Sequence, residues 1–95
     1  MAYQLNLFPA NTSLADIAQF ASNKLAASGN LLCAFGIKSD KGQPVNWMAF
    51  ETGAAAGSEV SFVPTGDAAP DGFTKIGAGE FTIDGATVFL TAFYK

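Results

Sequence analysis

The stretch EFTIDGATVFLTAFY, residues 80–94, decides the fold. Its centre, Asp84-Gly85, is the dipeptide most typical of a two-residue type I′ turn between antiparallel strands. This turn predicts a hairpin in which Ile83 pairs with Ala86. The chain therefore ends in two long paired strands, and the rest of the fold has to cover them.

The last strand, residues 86–94, carries large apolar side chains on both of its faces. A strand of this kind is usually covered on both sides. We therefore expect the helix of this chain to cover one face, and a second sheet layer, a curled sheet or another subunit to cover the other. One face carries Val88, Leu90, Ala92 and Tyr94, and the opposite face carries Phe89 and Phe93.

A capping pattern and an apolar stripe predict one helix near the start of the chain. Ser13 is followed three residues later by Asp16, a spacing like that of a capping box. Apolar residues then recur at helical spacing as far as Leu25, and Gly29 is a typical helix stop. The sequence predicts a helix over about 13–28.

Short alternating apolar runs predict the other strands, and Gly- and Pro-containing segments separate them. Two small-residue or turn-rich segments, 53–58 and 64–72, are expected to be connectors or loops. The length of 95 residues indicates one domain, 1–95. We predict an α+β domain, with the N-terminal helix packed on a mainly antiparallel sheet of five to six strands. The predicted strands are 3–8, 31–38, 44–51, 59–63, 80–83 and 86–94, and residues 73–76 fit either a strand or a loop.

The composition excludes most catalytic and phosphate-binding chemistry. The chain has no histidine and no arginine. Its five lysines are scattered along a sequence with net charge −3. Catalytic triads need a base that is usually histidine, and nucleic-acid binding needs clustered cations. Zinc sites need several cysteine or histidine ligands. We expect no enzymatic activity, cofactor, metal, small-molecule substrate or nucleic-acid partner.

The sequence carries few signals of the cellular compartment in which the protein is made. Cys33 is the only cysteine and stands among apolar residues, so a buried structural thiol is expected and an internal disulfide is excluded. Residues 1–10 lack the basic start and apolar run of a signal peptide. No stretch approaches the roughly 20 apolar residues of a membrane span. We expect cytoplasmic synthesis and no membrane partner.

Contact with another protein chain is the remaining functional lead. Hydrophobic residues make up 49% of the chain and charged residues only 14%. Trp47 lies on a predicted strand and fits either a core position or an interface anchor, since tryptophan dominates binding hot spots. The candidate contact residues are Trp47, Phe89, Phe93 and Tyr94.

Two functional hypotheses follow from these observations. The first is a structural or assembly protein, expected to be a homo-oligomer. Small β-rich proteins that coat or cement viral capsids share this kind of composition, so a virion component is one candidate, by analogy of composition alone. The second is a small monomeric inhibitor or adaptor that binds one protein target through a sheet edge or through the loops 53–58 and 64–72.

Overall fold

The computed structural model describes residues 3–28, 31–51 and 58–95, and for residues 3, 28, 31–33 and 40 it describes the backbone alone. One helix and two three-stranded antiparallel sheets make up this part of the chain. The predicted α+β class is confirmed, but the six strands form two sheets where one was expected. In chain order the elements are β1 (Tyr3–Pro9), α1 (Leu14–Ser28), β2 (Leu31–Asp40), β3 (Gln43–Glu51), β4 (Val60–Pro64), β5 (Thr74–Ile83) and β6 (Ala86–Tyr94).

Sheet A contains the first three strands in the order β1-β3-β2. Both outer strands are antiparallel to β3, so β1 and β2 run parallel to each other. Helix α1 connects them, which makes a split β-α-β unit. The turn between β2 and β3 is Lys41-Gly42, with φ of 53° and 78°, as a type I′ turn requires.

Sheet B contains the last three strands in the order β4-β6-β5. The predicted hairpin is confirmed, because Asp84 and Gly85 have φ of 51° and 79° and Ile83 pairs with Ala86. Strand β5 is continuous from Thr74, with a register shift near its start, so residues 73–76 mostly belong to a strand. Because β6 lies between β4 and β5, the connection 65–73 has to cross β6.

The core lies between the two sheets. Three phenylalanine rings, those of Phe35, Phe62 and Phe81, have centroids 5.3–5.7 Å apart and join β2 to sheet B. Edge-to-face and tilted contacts at this distance are favourable for aromatic rings. The buried apolar side chains around them are Ile17, Ala21, Leu25, Met48, Phe50, Val60, Leu90 and Ala92.

A buried asparagine links the two sheets. Asn46 of β3 is fully buried, and its amide bonds to the backbone of Thr82 in β5. Asn46 Nδ2 donates to the Thr82 carbonyl at 2.7 Å, and the Thr82 N–H donates to Asn46 Oδ1 at 2.8 Å. The Asn46 side chain thus makes the two hydrogen bonds to Thr82 that a neighbouring strand would otherwise make. Nearby, β5 also approaches β2 so closely that a Cβ on Gly79 would lie 2.9 Å from the carbonyl oxygen of Phe35.

Helix α1 begins within one residue of its predicted start, but it does not cover a face of β6 as expected. The Asp16 N–H donates to Ser13 Oγ at 3.2 Å, so Ser13 caps the helix. The helix lies mainly on β4 and β2, and Ser22 Oγ accepts a hydrogen bond of 3.0 Å from the Val60 N–H at the start of β4. Phe20 extends the helix contact to β1 through an edge-on contact with Phe8, at 5.2 Å between ring centroids.

Three sequence predictions fall outside the described residues. They are the helix stop at Gly29, the connector 53–58 apart from Ser58, and the buried thiol of Cys33. Ser58 itself is described, and its N–H donates to the Lys95 carbonyl at 2.8 Å.

Candidate functional site

The most distinctive surface of the protein is the outer face of sheet A, the side turned away from α1 and sheet B. Strand β3 defines it by simple alternation, because its even-numbered residues from Asn46 to Phe50 are buried and its odd-numbered residues point outward. The register aligns the outward residues of the three strands in rows across the sheet. The central members of this outer face are Leu5, Leu7, Ala34, Gly36, Val45, Trp47 and Ala49.

Strand β1 turns its apolar row outward. Leu5 and Leu7 are each 50% exposed, while Asn6 and Phe8 point to the inner side, where Phe8 meets Phe20. A half-buried strand normally hides its apolar row and exposes its polar one. This inversion creates an exposed apolar patch where a protein that works alone would place polar side chains.

Trp47 lies at the centre of this outer face. The register aligns it with Leu7 on one side and Gly36 on the other. A Cβ on Gly36 would lie 3.1 Å from Trp47 Nε1 and 3.2 Å from its Cζ2, so the indole lies across the backbone of β2 at this glycine. The ring is partly buried on its own sheet and keeps one side toward the surface. It is the kind of rigid aromatic surface that anchors protein interfaces.

Charges lie only at the two ends of the outer face. Glu51 is in register with Tyr3 at one end, and Lys38 is in register with Val45 toward the other. The rows between them, which contain Leu5 and Leu7, carry no titratable side chain. These central rows therefore contain no side chain that acts as an acid or a base. Another protein can cover them without the cost of desolvating a charged side chain.

The other three candidate contact residues lie on β6 in sheet B, apart from Trp47. Phe89 is the most exposed of them, at 62%, on the outer side of sheet B. Phe93 is only 5% exposed, and Tyr94 packs against the core from the inner side. The structure therefore places Phe89 and Trp47 on two different sheets. Most of the Phe93 ring is buried within the chain itself.

The inner face of β6 and part of its outer face are covered from within the chain. Leu90 and Ala92 on the inner side belong to the core between the two sheets, so a second sheet layer covers this face. The expectation that the helix covers it is corrected, since α1 lies mainly on β4 and β2. On the outer side the connection 65–73 crosses the strand, with Thr65 Oγ1 at 3.3 Å from Thr91 Oγ1.

Leu5 and Leu7 were missed as contact residues by sequence reasoning. Their alternation with polar residues predicts a strand correctly, but it does not say which row faces the core. One signal for the inversion is present in the sequence: the first charged residue of the chain is Asp16, so the strand has no charge to keep either row in water. The row that faces out is decided by β3 and Phe20, which are distant in sequence.

Residues 3–28, 31–51 and 58–95 contain no group of three or more potential metal ligands. No helix in these ranges is long and apolar enough to cross a bilayer. Comparison with known proteins found no matching family model, curated protein or solved structure.

Proposed function

We propose that this protein is a non-enzymatic structural or assembly protein that works through protein–protein contacts, with the outer face of sheet A as its contact surface. One observation carries the proposal. Leu5 and Leu7 are each half-exposed in the same strand and stand beside Trp47, while the polar side chain between them points inward.

The energetics of this surface favour burial by a partner. Covering a leucine that is half-exposed contributes about 1 kcal/mol, from the roughly 25 cal/mol gained per Å² of apolar surface buried. Two such leucines and the open side of Trp47 lie together, and the rows that contain them bring no charge into the contact. A small number of aromatic and apolar anchors of this kind supplies most of the affinity of an interface.

The proposal extends to the setting in which such contacts are used. A domain of 95 residues that is rich in alanine and glycine and poor in charge fits a small subunit of a larger assembly. A virion component, such as a capsid decoration or cement protein, is the setting that the composition favours by analogy. Contacts between like subunits belong to the same proposal.

A second candidate function is a monomeric adaptor or inhibitor that binds one target protein. Two features favour it. No described strand pairs with the outer edge of β1, so the edge is open to an added strand. Residues 65–69 are all exposed, which suits a binding loop on a rigid sheet.

Site-specific photo-crosslinking tests the proposal in cells that produce the protein. A photoreactive phenylalanine analogue at Leu7 is expected to give a discrete adduct of defined mass, because position 7 lies in the contact. The same analogue at the exposed Thr87 of sheet B is the matched control and is expected to give no discrete adduct. Absence of any discrete adduct from position 7 contradicts the proposed function, whether the partner is a like subunit or another protein.

A further inference from the structure

The four edges of the two sheets differ in how they are protected. The edges of β2 and β5 lie against each other, as the approach of Gly79 to the Phe35 carbonyl shows. At Thr82 the edge of β5 is closed by the Asn46 amide. The edge of β4 meets α1, where Ser22 accepts from the first N–H of the strand. The outer edge of β1 is the remaining one, and no described strand lies on it.

The β1 edge also lacks the usual defences against pairing. Natural edge strands are short, carry charges, or contain bulges and prolines that prevent another strand from adding. Strand β1 is seven residues long, has no register shift and no charged residue, and has its single proline, Pro9, at the last position. At about 3.3 Å per residue it is about 23 Å long, against a longest molecular extent of 35 Å.

We propose that the partner at this edge is a second copy of the chain, joined by antiparallel pairing of β1 with β1 across a two-fold axis at Asn6. This inference rests on the proposed function and names the partner. Pairing about Asn6 overlaps all seven residues of β1, so that Tyr3 of one copy lies opposite Pro9 of the other. Leu5 of each copy then lies opposite Leu7 of its partner. The outer faces of the two copies join into one apolar face on a six-stranded sheet.

Asn6 is the second observation that favours this register. Its Nδ2 is buried and has no hydrogen-bond partner among the described residues. An unpaired buried amide nitrogen is unfavourable, and native proteins rarely keep one. Pairing about Asn6 puts the same side chain of the second copy directly opposite, about 5 Å away between Cβ atoms. A rotation about the Cβ–Cγ bond then lets each amide donate to the oxygen of the other.

The charge distribution is compatible with a second copy at this edge. Each chain carries a net charge of −3, so two copies repel wherever their charged surfaces meet. The β1 edge is a place where they can meet without opposing charges, since the first charged residue is Asp16. Glu51 lies beside the Tyr3 end of β1, and the two-fold axis sends the two Glu51 side chains to opposite ends of the contact.

Charge substitutions on β1 test both the partner and the register. In the double variant Leu5→Lys/Leu7→Lys, the introduced lysines oppose each other across the axis, and the dimer dissociation constant is expected to rise by about tenfold or more. In Leu5→Glu/Leu7→Lys, each new glutamate opposes a new lysine of the other copy. This variant is expected to remain dimeric. Sedimentation velocity over about 1 to 200 µM, a range that brackets a micromolar dissociation constant, measures both.

The control variant is Thr87→Lys/Phe89→Lys, which adds the same two charges to exposed positions of sheet B. It is expected to dimerise like the wild type. Circular dichroism and a thermal melt show whether each variant is folded. If the double lysine variant does not fold, the Leu5→Glu/Leu7→Lys variant still tests the register. Monomeric behaviour of the wild type overturns the inference, and so does loss of the dimer in both β1 variants or in the sheet B control.

Failure of this inference is distinguishable from failure of the proposed function. A wild-type chain that stays monomeric while the crosslinker at Leu7 captures one protein of a different mass overturns the second copy and keeps the contact surface. A crosslinked adduct with twice the mass of the chain, together with the expected pattern of variants, supports both.

Discussion

At the scale of single residues, Asn46 links the two sheets through a buried polar contact. Its amide replaces a strand partner for Thr82 across a sequence separation of 36 residues. A buried asparagine of this kind is tolerated only because both its donor and its acceptor are satisfied. The junction of the two sheets at this point therefore depends on one polar side chain in an apolar core.

Substitution of Asn46 by alanine is expected to lower the free energy of unfolding by about 2–4 kcal/mol, because it leaves the N–H and carbonyl of Thr82 buried and unpaired. Urea unfolding followed by tryptophan fluorescence measures the loss. The control is Asn23→Ala, which removes an exposed bond from the Gln19 side chain and is expected to cost less than about 0.5 kcal/mol. Equal losses in the two variants contradict the role given to Asn46.

Two glycines of β5 provide a matched pair at the same scale. Gly79→Ala forces a methyl group to within 2.9 Å of the Phe35 carbonyl oxygen, so β5 and β2 have to separate. The expected loss in unfolding free energy is about 1–3 kcal/mol. Gly77→Ala meets nothing within 4 Å and is expected to be neutral or stabilising by about 0.5 kcal/mol. Thermal denaturation of the two variants compares them, and a Gly79 variant as stable as the Gly77 variant argues against the close approach.

At the scale of elements, the orientation of β1 decides where the contact surface lies. The strand places Asn6 and Phe8 toward the helix and leaves two leucines outside. In β3 the same sheet follows the usual rule, with Met48 and Phe50 fully buried. The outer face of sheet A is apolar because β1 and β3 both send apolar residues to it.

The inversion of β1 predicts an unusual tolerance to substitution. Leu5→Thr/Leu7→Thr is expected to lower the unfolding free energy of the dilute chain by at most about 2 kcal/mol, since only half of each side chain is buried. Phe50→Ala, on the opposite side of the sheet, is expected to cost about 3–5 kcal/mol. Chemical denaturation at low protein concentration gives both values. A double threonine variant that loses as much as Phe50→Ala means that the leucines face the core.

Local signals explain what the sequence could predict about these elements. Ser13 with Asp16 located the helix start, and Asp84-Gly85 located the hairpin, because each pattern acts within a few residues. Which row of β1 faces inward depends on Phe20 and β3, and the junction of the two sheets includes a contact between Asn46 and Thr82. Those contacts join residues that are far apart in the chain, and the periodicity of a single sequence does not predict them.

The candidate site was predictable only in part for the same reason. Trp47 was identified because tryptophan on a strand suits an anchor, whereas its neighbours Leu5 and Leu7 come from another part of the chain. Phe93 looked available on the two-faced strand, but it is only 5% exposed in the folded chain. The crossing of β6 by residues 65–73 likewise follows from strand order. Strand order is set by tertiary pairing and has no local signature.

At the scale of the whole molecule, the single chain has the surface of an ordinary folded monomer. Its accessible surface is 5146 Å², and a monomer of 9.8 kDa is expected to expose about 5,200 Å². The single chain therefore exposes about as much surface as a folded monomer of its size. The proposed assembly through β1 joins subunits of this kind, so it is expected to be reversible and to depend on concentration.

Salt dependence is a property of the whole assembly. The proposed contact opposes no charges, and the two chains carry the same sign, so screening removes only long-range repulsion. Raising the NaCl concentration from about 0.05 M to about 0.5 M is expected to leave the dimer intact or to strengthen it slightly. Sedimentation equilibrium at the two concentrations measures this, and a dimer that dissociates at high salt indicates an ion-paired contact elsewhere.

Hydrogen–deuterium exchange at low and at hundredfold higher protein concentration tests whether β1 pairs with a second copy, since pairing protects amides that a free edge leaves open. Exchange in residues 3–9 is expected to slow at the higher concentration, while exchange in the hairpin 80–94 is expected to stay the same. Exchange in β1 that is the same at both concentrations, or protection that arises in the hairpin instead, contradicts pairing through β1.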